Sequence, residues 1–309
     1  MGERIGVEKQ QVDRTLVSYF LTLSVLIISL VFYFYYFDEV GVFNSQEIHG
    51  EGGLFTLSLS LFRIACAYLV FHTAVFWMIR NPVPGKMVPL FREERVNRKH
   101  PSKGFERLVP FSSWTMIIFG IAMLWNGISS LLVFFGIDLS ETILHIGTAI
   151  FATAFSSAAL TAIIVRYVIL PSMMNNGQEI DHMFLPHEQV MHNLALIFLS
   201  LELILGTIFI RPPMIFLGLT YGAIYLIFSE FWARYGGGYY VYQFIDPRPP
   251  EGPFFLVGLT LVCSFSFSIG MFVSFVREFN IIASLVLIII LILFSTKFSA
   301  PSDYVPTPV

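Results

Sequence analysis

The residues that could carry chemistry are concentrated between His187 and Asp246, where His, Asn and two Glu interrupt long apolar runs. A charge at the centre of a bilayer costs about 2.5 to 3.5 kcal/mol even on lenient insertion scales. Glu202 and Glu230 are therefore expected to be neutral, paired or in contact with water. His192, in the same stretch, is a candidate general base. This stretch is the first place to look for a functional site.

Two ion pairs are expected to be structural rather than catalytic. Counted from the ends of their apolar runs, Arg63 and Glu202 lie at matched depths, about nine and eight residues from the outer boundary. Two opposite charges at one depth in lipid neutralise each other across a helix contact. Glu230 and Arg234 are four residues apart, which makes them neighbours on one helix face.

A metal site is not predicted. His182, His187 and His192 recur every five residues, a step of about 140° around a helix that points them in different directions. HExxxH is also not the HExxH spacing of zinc hydrolases. The two cysteines, Cys66 and Cys263, both fall in apolar runs, which argues against a disulfide framework. We therefore predict no metal and no cofactor.

The composition is that of a polytopic membrane protein. Of 309 residues, 56% are hydrophobic and 13% charged, and the mean hydropathy is +0.74, whereas soluble domains carry roughly 25% charged residues. A net charge of -3 argues against nucleic-acid binding, which requires an excess of positive charge. The predicted partners are membrane lipids, with other membrane subunits as an open alternative. The organelle is left open between an endomembrane and the mitochondrial inner membrane.

Eight apolar runs have roughly the 20 residues that a hydrocarbon core needs, which predicts an all-α transmembrane bundle of about eight spans. The runs are Thr15 to Phe37, Leu54 to Ile79, Phe111 to Gly136, Ile143 to Leu170, Gln189 to Ile210, Met214 to Tyr235, Phe254 to Val276 and Ile281 to Phe298. The short joins after the third and seventh runs leave open that either pair is one broken helix. We expect a single bundle over residues 1–309, with a polar head (1–14), a basic inner loop (80–110) and an extended tail (299–309).

The distribution of Lys and Arg predicts that both termini face the cytosol or its equivalent. With the N-terminus inside, the inner side collects fifteen Lys and Arg, eight of them in Arg80 to Arg107, against two outside, Arg211 and Arg277. An excess of positive charge in short loops marks the inner side. The basic loop is expected to set this topology and to touch anionic headgroups.

Three short motifs suggest a family. His192 is followed ten residues later by Glu202 in HNLALIFLSLE, YQFID spans Tyr242 to Asp246, and FSSW spans Phe111 to Trp114. Together they resemble the androgen-induced-gene family of multispan hydrolases, which cleave fatty acid esters of hydroxy fatty acids, and the related rolling-stone-type and plant multispan proteins. The resemblance loosely covers the central two thirds of the chain.

The resemblance implies a Thr nucleophile early in the second span, paired with the His that matches His192. The sequence there reads GGLFTLSLSLFR, so Thr56, Ser58 and Ser60 are candidates without a decisive register, and Arg63 stands where the family shows an acid. Depth counting places these hydroxyls near the outer face and His192 near the inner face. Hydroxyls on the level of His192 are those of Thr73 and Ser229. An alcohol needs a base within about 3 Å to be activated.

Three functions remain open from the sequence. The first is an intramembrane hydrolase of acyl-lipid esters with His192 as base and a second-span hydroxyl as nucleophile. The second is a non-catalytic subunit of a larger membrane complex, which fits the Phe-rich composition and the Pro-rich tail. The third is a transporter, for which matched broken helices and an internal repeat would be expected.

Overall fold

The computed structural model describes residues 13–300 as an all-α bundle. Seven helices are long and apolar enough to cross a membrane, and an eighth apolar helix is shorter. We label them α1 (Thr15–Tyr35), α2 (Gly53–Ile79), α3 (Phe111–Phe134), α4 (Glu141–Asn175), α5 (Pro186–Leu205), α6 (Pro212–Tyr235), α7 (Gly252–Phe279) and α8 (Ile281–Ser295). The protein is thus a polytopic integral membrane protein. The predicted polar head and extended tail fall largely outside the described residues.

The eighth span differs from its prediction, because α8 has only 15 residues, or roughly 22 Å against a hydrocarbon core of ~30 Å. Side chains of α4 receive its last carbonyls. Arg166 donates to the carbonyls of Leu293 and Thr296, and the Tyr167 hydroxyl donates to that of Phe294. These bonds satisfy acceptors that a continuing helix would use, so the chain leaves the helix at Thr296.

Both short joins separate distinct helices. Asn280, between α7 and α8, is extended, and its side chain accepts from the backbone N–H groups of Ile282 and Ala283, as an N-cap does. Between α3 and α4 the chain turns at residues 135–140, and the Trp125 indole donates back to the Ile143 carbonyl. Neither pair is one broken helix.

Helix α4 is the centre of the bundle: 72% of its most apolar window is buried, the largest share among the candidate spans described. It packs against α3, α5, α7 and α8. Glycines allow the closest contacts elsewhere, as small residues commonly do between membrane helices. Val70 of α2 lies directly on Gly120 of α3, and Gly218 of α6 lies on the backbone of Ser264 in α7.

The basic loop between α2 and α3 folds into a small cap with strand structure that sequence analysis did not predict. Strand β1 (Gly85–Met87) pairs antiparallel with β4 (His100–Ser102), while β2 (Leu90–Phe91) pairs with β3 (Val96–Asn97). Strand β2 also pairs with β5 (Tyr239–Tyr240), which follows α6, with Leu90 opposite Tyr240. The cap therefore ties the α2–α3 loop to the end of α6.

Both ends of the described chain lie at the capped end of the bundle. The Arg14 backbone N–H donates to the Arg248 carbonyl at 3.0 Å, and the Arg248 side chain donates to the Arg92 carbonyl in the cap. Asn193 makes two hydrogen bonds with the Lys297 backbone, at 2.7 and 3.0 Å. We call this the inner end, following the positive charge of the cap.

Candidate functional site

The outer half of the bundle holds a buried polar network centred on Arg63. Its Nε and Nη2 atoms donate to Glu202, with the shortest nitrogen–oxygen distance 2.5 Å, and neither side chain is exposed. Nη2 also donates to the Ile48 carbonyl at 2.9 Å, and Nη1 donates to Ser130 and to His49 Nδ1. Each N–H group of the guanidinium already has an acceptor within the protein, so none is left to bind a substrate. The network is therefore structural.

His49 is held in its neutral form by that network. An arginine can only donate, so its contact with His49 Nδ1 at 3.0 Å requires that this nitrogen be an acceptor. Burial, together with the positive charge of Arg63, lowers the pKa of His49 to about 3. The ring is therefore neutral near pH 7.

Ser60 and Thr56, two of the predicted nucleophiles, belong to this outer half. The Ser60 hydroxyl donates to the Gly127 carbonyl of α3 at 2.8 Å. Thr56 Oγ1 accepts from the Gly52 backbone N–H at 3.0 Å, at the first turn of α2. Ser60 thus links α2 to α3, and Thr56 stabilises the first turn of α2.

His192 lies near the inner end, in a buried part of α5. The residue before it, Met191, is contacted by the Ser113 hydroxyl in the first turn of α3. Between that level and Gly127, where Ser60 is bonded, α3 rises roughly 21 Å. The structure therefore does not bring His192 together with Ser60, nor with Thr56, which lies still further out.

The acid beside His192 is Glu188, one turn earlier in α5. Glu188 Oε2 lies 3.5 Å from His192 Nδ1, and Glu188 Oε1 lies 3.4 Å from His187 Nε2. His192 Nδ1 makes no hydrogen bond of good geometry with any described residue, so we treat the 3.5 Å contact as electrostatic orientation rather than a hydrogen bond. An imidazole held this way by a carboxylate has its other nitrogen available as a base.

Thr73 is a hydroxyl at the height of His192. Val70 packs on Gly120, so Thr73, three residues nearer the inner end, lies within about 5 Å of His192 along the bundle axis. Thr73 is fully buried, and its Oγ1 has no hydrogen-bond partner among the described residues. The segment Thr73–Ile79 packs against Pro186–Gln189, the turn that precedes His192.

Local helix geometry also marks this level. Three helices change to π-helical hydrogen bonding near the inner end: α2 at Thr73–Ile79, α4 at Val165–Ile169 and α5 at Val190–Leu194. Single π-helical turns are uncommon and are frequent at functional sites. Two of these segments contain Thr73 and His192, so the widened backbone coincides with the unpartnered polar groups.

The other resemblance motifs meet at the same end. Tyr242 of YQFID lies beside Phe111 and Ser112 at the start of FSSW. Burial raises the pKa of Tyr242 to about 12, and the nearby Glu188 carboxylate adds to the rise. Burial likewise lowers the pKa of His182, against the opposing influence of Glu188. The acid of α5 is thus within electrostatic range of both loop residues.

The Glu230–Arg234 pair is present within α6 and belongs to a separate network. Glu230 accepts from Arg234 Nε and from the Tyr240 hydroxyl, and its Oε1 lies 3.7 Å from Arg92 Nη2. The Tyr19 hydroxyl donates to it at 3.4 Å. These contacts join α1, α6 and the cap, so Glu230 holds the inner end together.

The i,i+4 spacing of Glu188 and His192 can be read from the sequence, although it does not by itself give Glu188 a role. The part of His49 could not be predicted, because His49 lies in the outer loop, where no periodic pattern points inward. No group of three or more His, Cys, Asp or Glu with a metal-binding arrangement occurs in residues 13–300.

No protein-family model, curated protein or solved structure matches the chain. The family resemblance therefore rests on the three short motifs.

Proposed function

We propose that the protein is an intramembrane hydrolase of acyl-lipid esters whose reaction centre lies at the inner end of the bundle. In this proposal His192 is the general base, Glu188 orients its ring, and Thr73 takes the role that the sequence had offered to Ser60 or Thr56. The observation that carries it is the buried Thr73 Oγ1, which has no hydrogen-bond partner among the described residues and lies at the height of His192, whose Nδ1 faces Glu188.

The chemistry follows the general scheme of a hydroxyl nucleophile beside an oriented imidazole. His192 accepts the Thr73 proton as the oxygen attacks the ester carbonyl, and Glu188 stabilises the imidazolium that forms. The imidazolium gives that proton to the alcohol as the ester C–O bond breaks, and a water molecule deprotonated by His192 then cleaves the acyl-Thr73 ester to release the fatty acid. Burial supports this role, because charge pairs act more strongly where water is excluded. A lipid ester reaches such a site from within the bilayer, because its acyl chain is already dissolved in the hydrocarbon core.

A fluorophosphonate probe on the purified chain tests the proposal. We expect labelling of the wild type, its loss in Thr73→Val and in His192→Ala, and its retention in Ser60→Ala. Val keeps the shape of Thr, so loss of labelling with an unchanged melting temperature assigns the hydroxyl. A wild type that stays unlabelled while its melting curve shows a folded protein would reject the hydrolase.

The alternative is a non-catalytic subunit, and helix α1 is the observation that favours it. Only 22% of its apolar window is buried within the chain. Eleven of its large apolar side chains are exposed, and six of them follow steps of four and three residues along one face: Leu16, Phe20, Leu23, Ile27, Leu30 and Phe34. A second helix can pack along such a face. A particle mass above that of one chain in nanodiscs, reduced by Phe20→Ala with Ile27→Ala, would support this role.

A further inference from the structure

A lateral groove opens between α3 and α6 near the inner end. Its volume is about 520 Å³ and its exposed lining is almost entirely apolar, within the roughly 300 to 1,000 Å³ usual for ligand pockets. Helices α3 and α6 supply its walls, and the last residues of the cap supply its inner end. The lining includes Phe105, Trp114, Ile118, Tyr221, Phe228 and Trp232.

Aromatic rings give the groove a defined wall. Tyr221, Phe228 and Trp232 are spaced at seven and four residues on α6, so they share a helix face. The Trp114 ring of α3 lies 4.8 Å from that of Phe228 and 6.3 Å from that of Tyr221. The Tyr221 hydroxyl is buried and has no hydrogen-bond partner among residues 13–300.

The length of the groove matches one leaflet. From Trp232 near the inner end to Tyr221, α6 rises roughly 16 Å, about half of a ~30 Å hydrocarbon core. A groove that opens sideways at this depth faces acyl chains rather than water. An acyl chain lying along α6 would reach from the cap to the middle of the bilayer.

The cap next to the inner end of the groove carries a net positive charge. Lys103 is exposed in the cap two residues before Phe105, which lines the groove. The cap segment Arg80 to Arg107 carries eight Lys and Arg against three Glu. An ammonium at the headgroup level attracts anionic lipid. Charge complementarity therefore points to an anionic headgroup at the mouth.

The groove is separate from the proposed reaction centre. Trp114 faces the groove, whereas the preceding residue, Ser113, faces Met191 beside His192. Consecutive residues on a helix point about 100° apart. The groove and His192 therefore lie against different faces of α3, so binding in the groove does not depend on hydrolase activity.

We propose that this groove is a binding site for an anionic glycerophospholipid of the inner leaflet. One acyl chain lies between α3 and α6 along Trp114, Phe228 and Trp232, and the headgroup lies against the cap at Lys103.

The test uses the full chain in phosphatidylcholine vesicles that contain a trace of phosphatidylserine with a photoreactive diazirine in its acyl chain. Ile118→Trp places an indole in the groove, and we expect it to lower labelling by about tenfold because the space is filled. Ile128→Trp is the matched control, since Ile128 is a 47% exposed position further out on α3. Lys103→Glu should reduce labelling by phosphatidylserine and leave that by the matching phosphatidylcholine probe unchanged.

Three results would overturn the proposal. Equal labelling of Ile118→Trp and Ile128→Trp would mean that the probe reports only bulk lipid around the helices. Equal labelling of the wild type by the phosphatidylserine and phosphatidylcholine probes would show that the groove does not select an anionic headgroup. A dimer mass that Ile118→Trp converts to a monomer mass would assign the groove to a second copy of the chain.

Discussion

Arg63 of α2 and Glu202 of α5 lie 2.5 Å apart, fully buried, and hold together two helices that are distant in sequence. The pair is not symmetric in its surroundings. Backbone carbonyls of Ile48 and Asn126 also accept hydrogen bonds from Arg63, so the surroundings of position 63 favour a cation. A buried pair with its remaining hydrogen bonds satisfied is the arrangement in which losing one partner is most costly.

Removal of one partner should therefore destabilise the bundle strongly. Glu202→Gln leaves the guanidinium without its counter-charge, and we expect a loss of about 3 to 5 kcal/mol, measured as thermal unfolding in nanodiscs. Glu179→Gln is a control, because the Lys86–Glu179 pair is exposed at the surface and should change little. The exchange Arg63→Glu with Glu202→Arg should recover only part of the loss, since a carboxylate at position 63 would face two carbonyls. No loss in Glu202→Gln would contradict the structural role.

This pair was accessible to sequence analysis because depth along a spanning helix can be counted from its ends, and a lone charge in lipid requires a partner. The same counting separated Ser60 from His192 and brought Thr73 to its level. It could not give His49, which reaches Arg63 from a five-residue helix, Ser45–His49, in the outer loop. It also could not give the cap, whose strands of two or three residues are too short to show an alternating pattern.

Stability should fall on acidification through His49. Its folded pKa of about 3 lies below the ordinary value near 6.5, so the unfolded chain binds the extra proton between these values. The contribution is complete above about pH 6.5 and is lost as the pH falls toward 3, by up to about 1.4 kcal/mol per pH unit. His49→Gln keeps an acceptor for Arg63 but does not titrate. Its unfolding midpoint should depend less on pH between 7 and 4.5 than that of the wild type, and parallel curves would refute the assignment.

The contact between α6 and α7 should not tolerate a side chain at Gly218. A Cβ there would lie 2.5 Å from Ser264 Cα and 2.7 Å from the Cys263 carbonyl oxygen, and backbone atoms cannot move aside without separating the helices. We expect Gly218→Ala to cost about 1 to 3 kcal/mol. Gly258→Ala in α7 is the control, because nothing lies within 4 Å of its Cβ position. Equal melting temperatures for the two variants would show that the helices are further apart.

Cysteine accessibility should report the orientation. Lys99 in the cap and Asp138 in the α3–α4 turn are both exposed and lie at opposite ends of the bundle. In sealed vesicles with the outer face exposed, an impermeant maleimide should label Asp138→Cys at once and Lys99→Cys only after permeabilisation, because the charge excess marks the inner side. A tag after Val309 should behave as Lys99→Cys does, and the opposite pattern would reverse the topology.

The activity should depend on the inner residues in a graded way. If His192 is the base, His192→Ala should lower ester cleavage by about 10² to 10⁴-fold, the usual contribution of a positioned general base. Glu188→Gln should lower kcat less, because His192 can still accept the Thr73 proton although the imidazolium loses its counter-charge. Thr56→Val and Ser60→Ala are the matched controls, since their hydroxyls bond to Gly52 and Gly127 in the outer half, and their loss should change stability rather than kcat. Turnover that survives His192→Ala but disappears in Ser60→Ala would move the reaction centre to the outer half, against the height of His192 in the bundle.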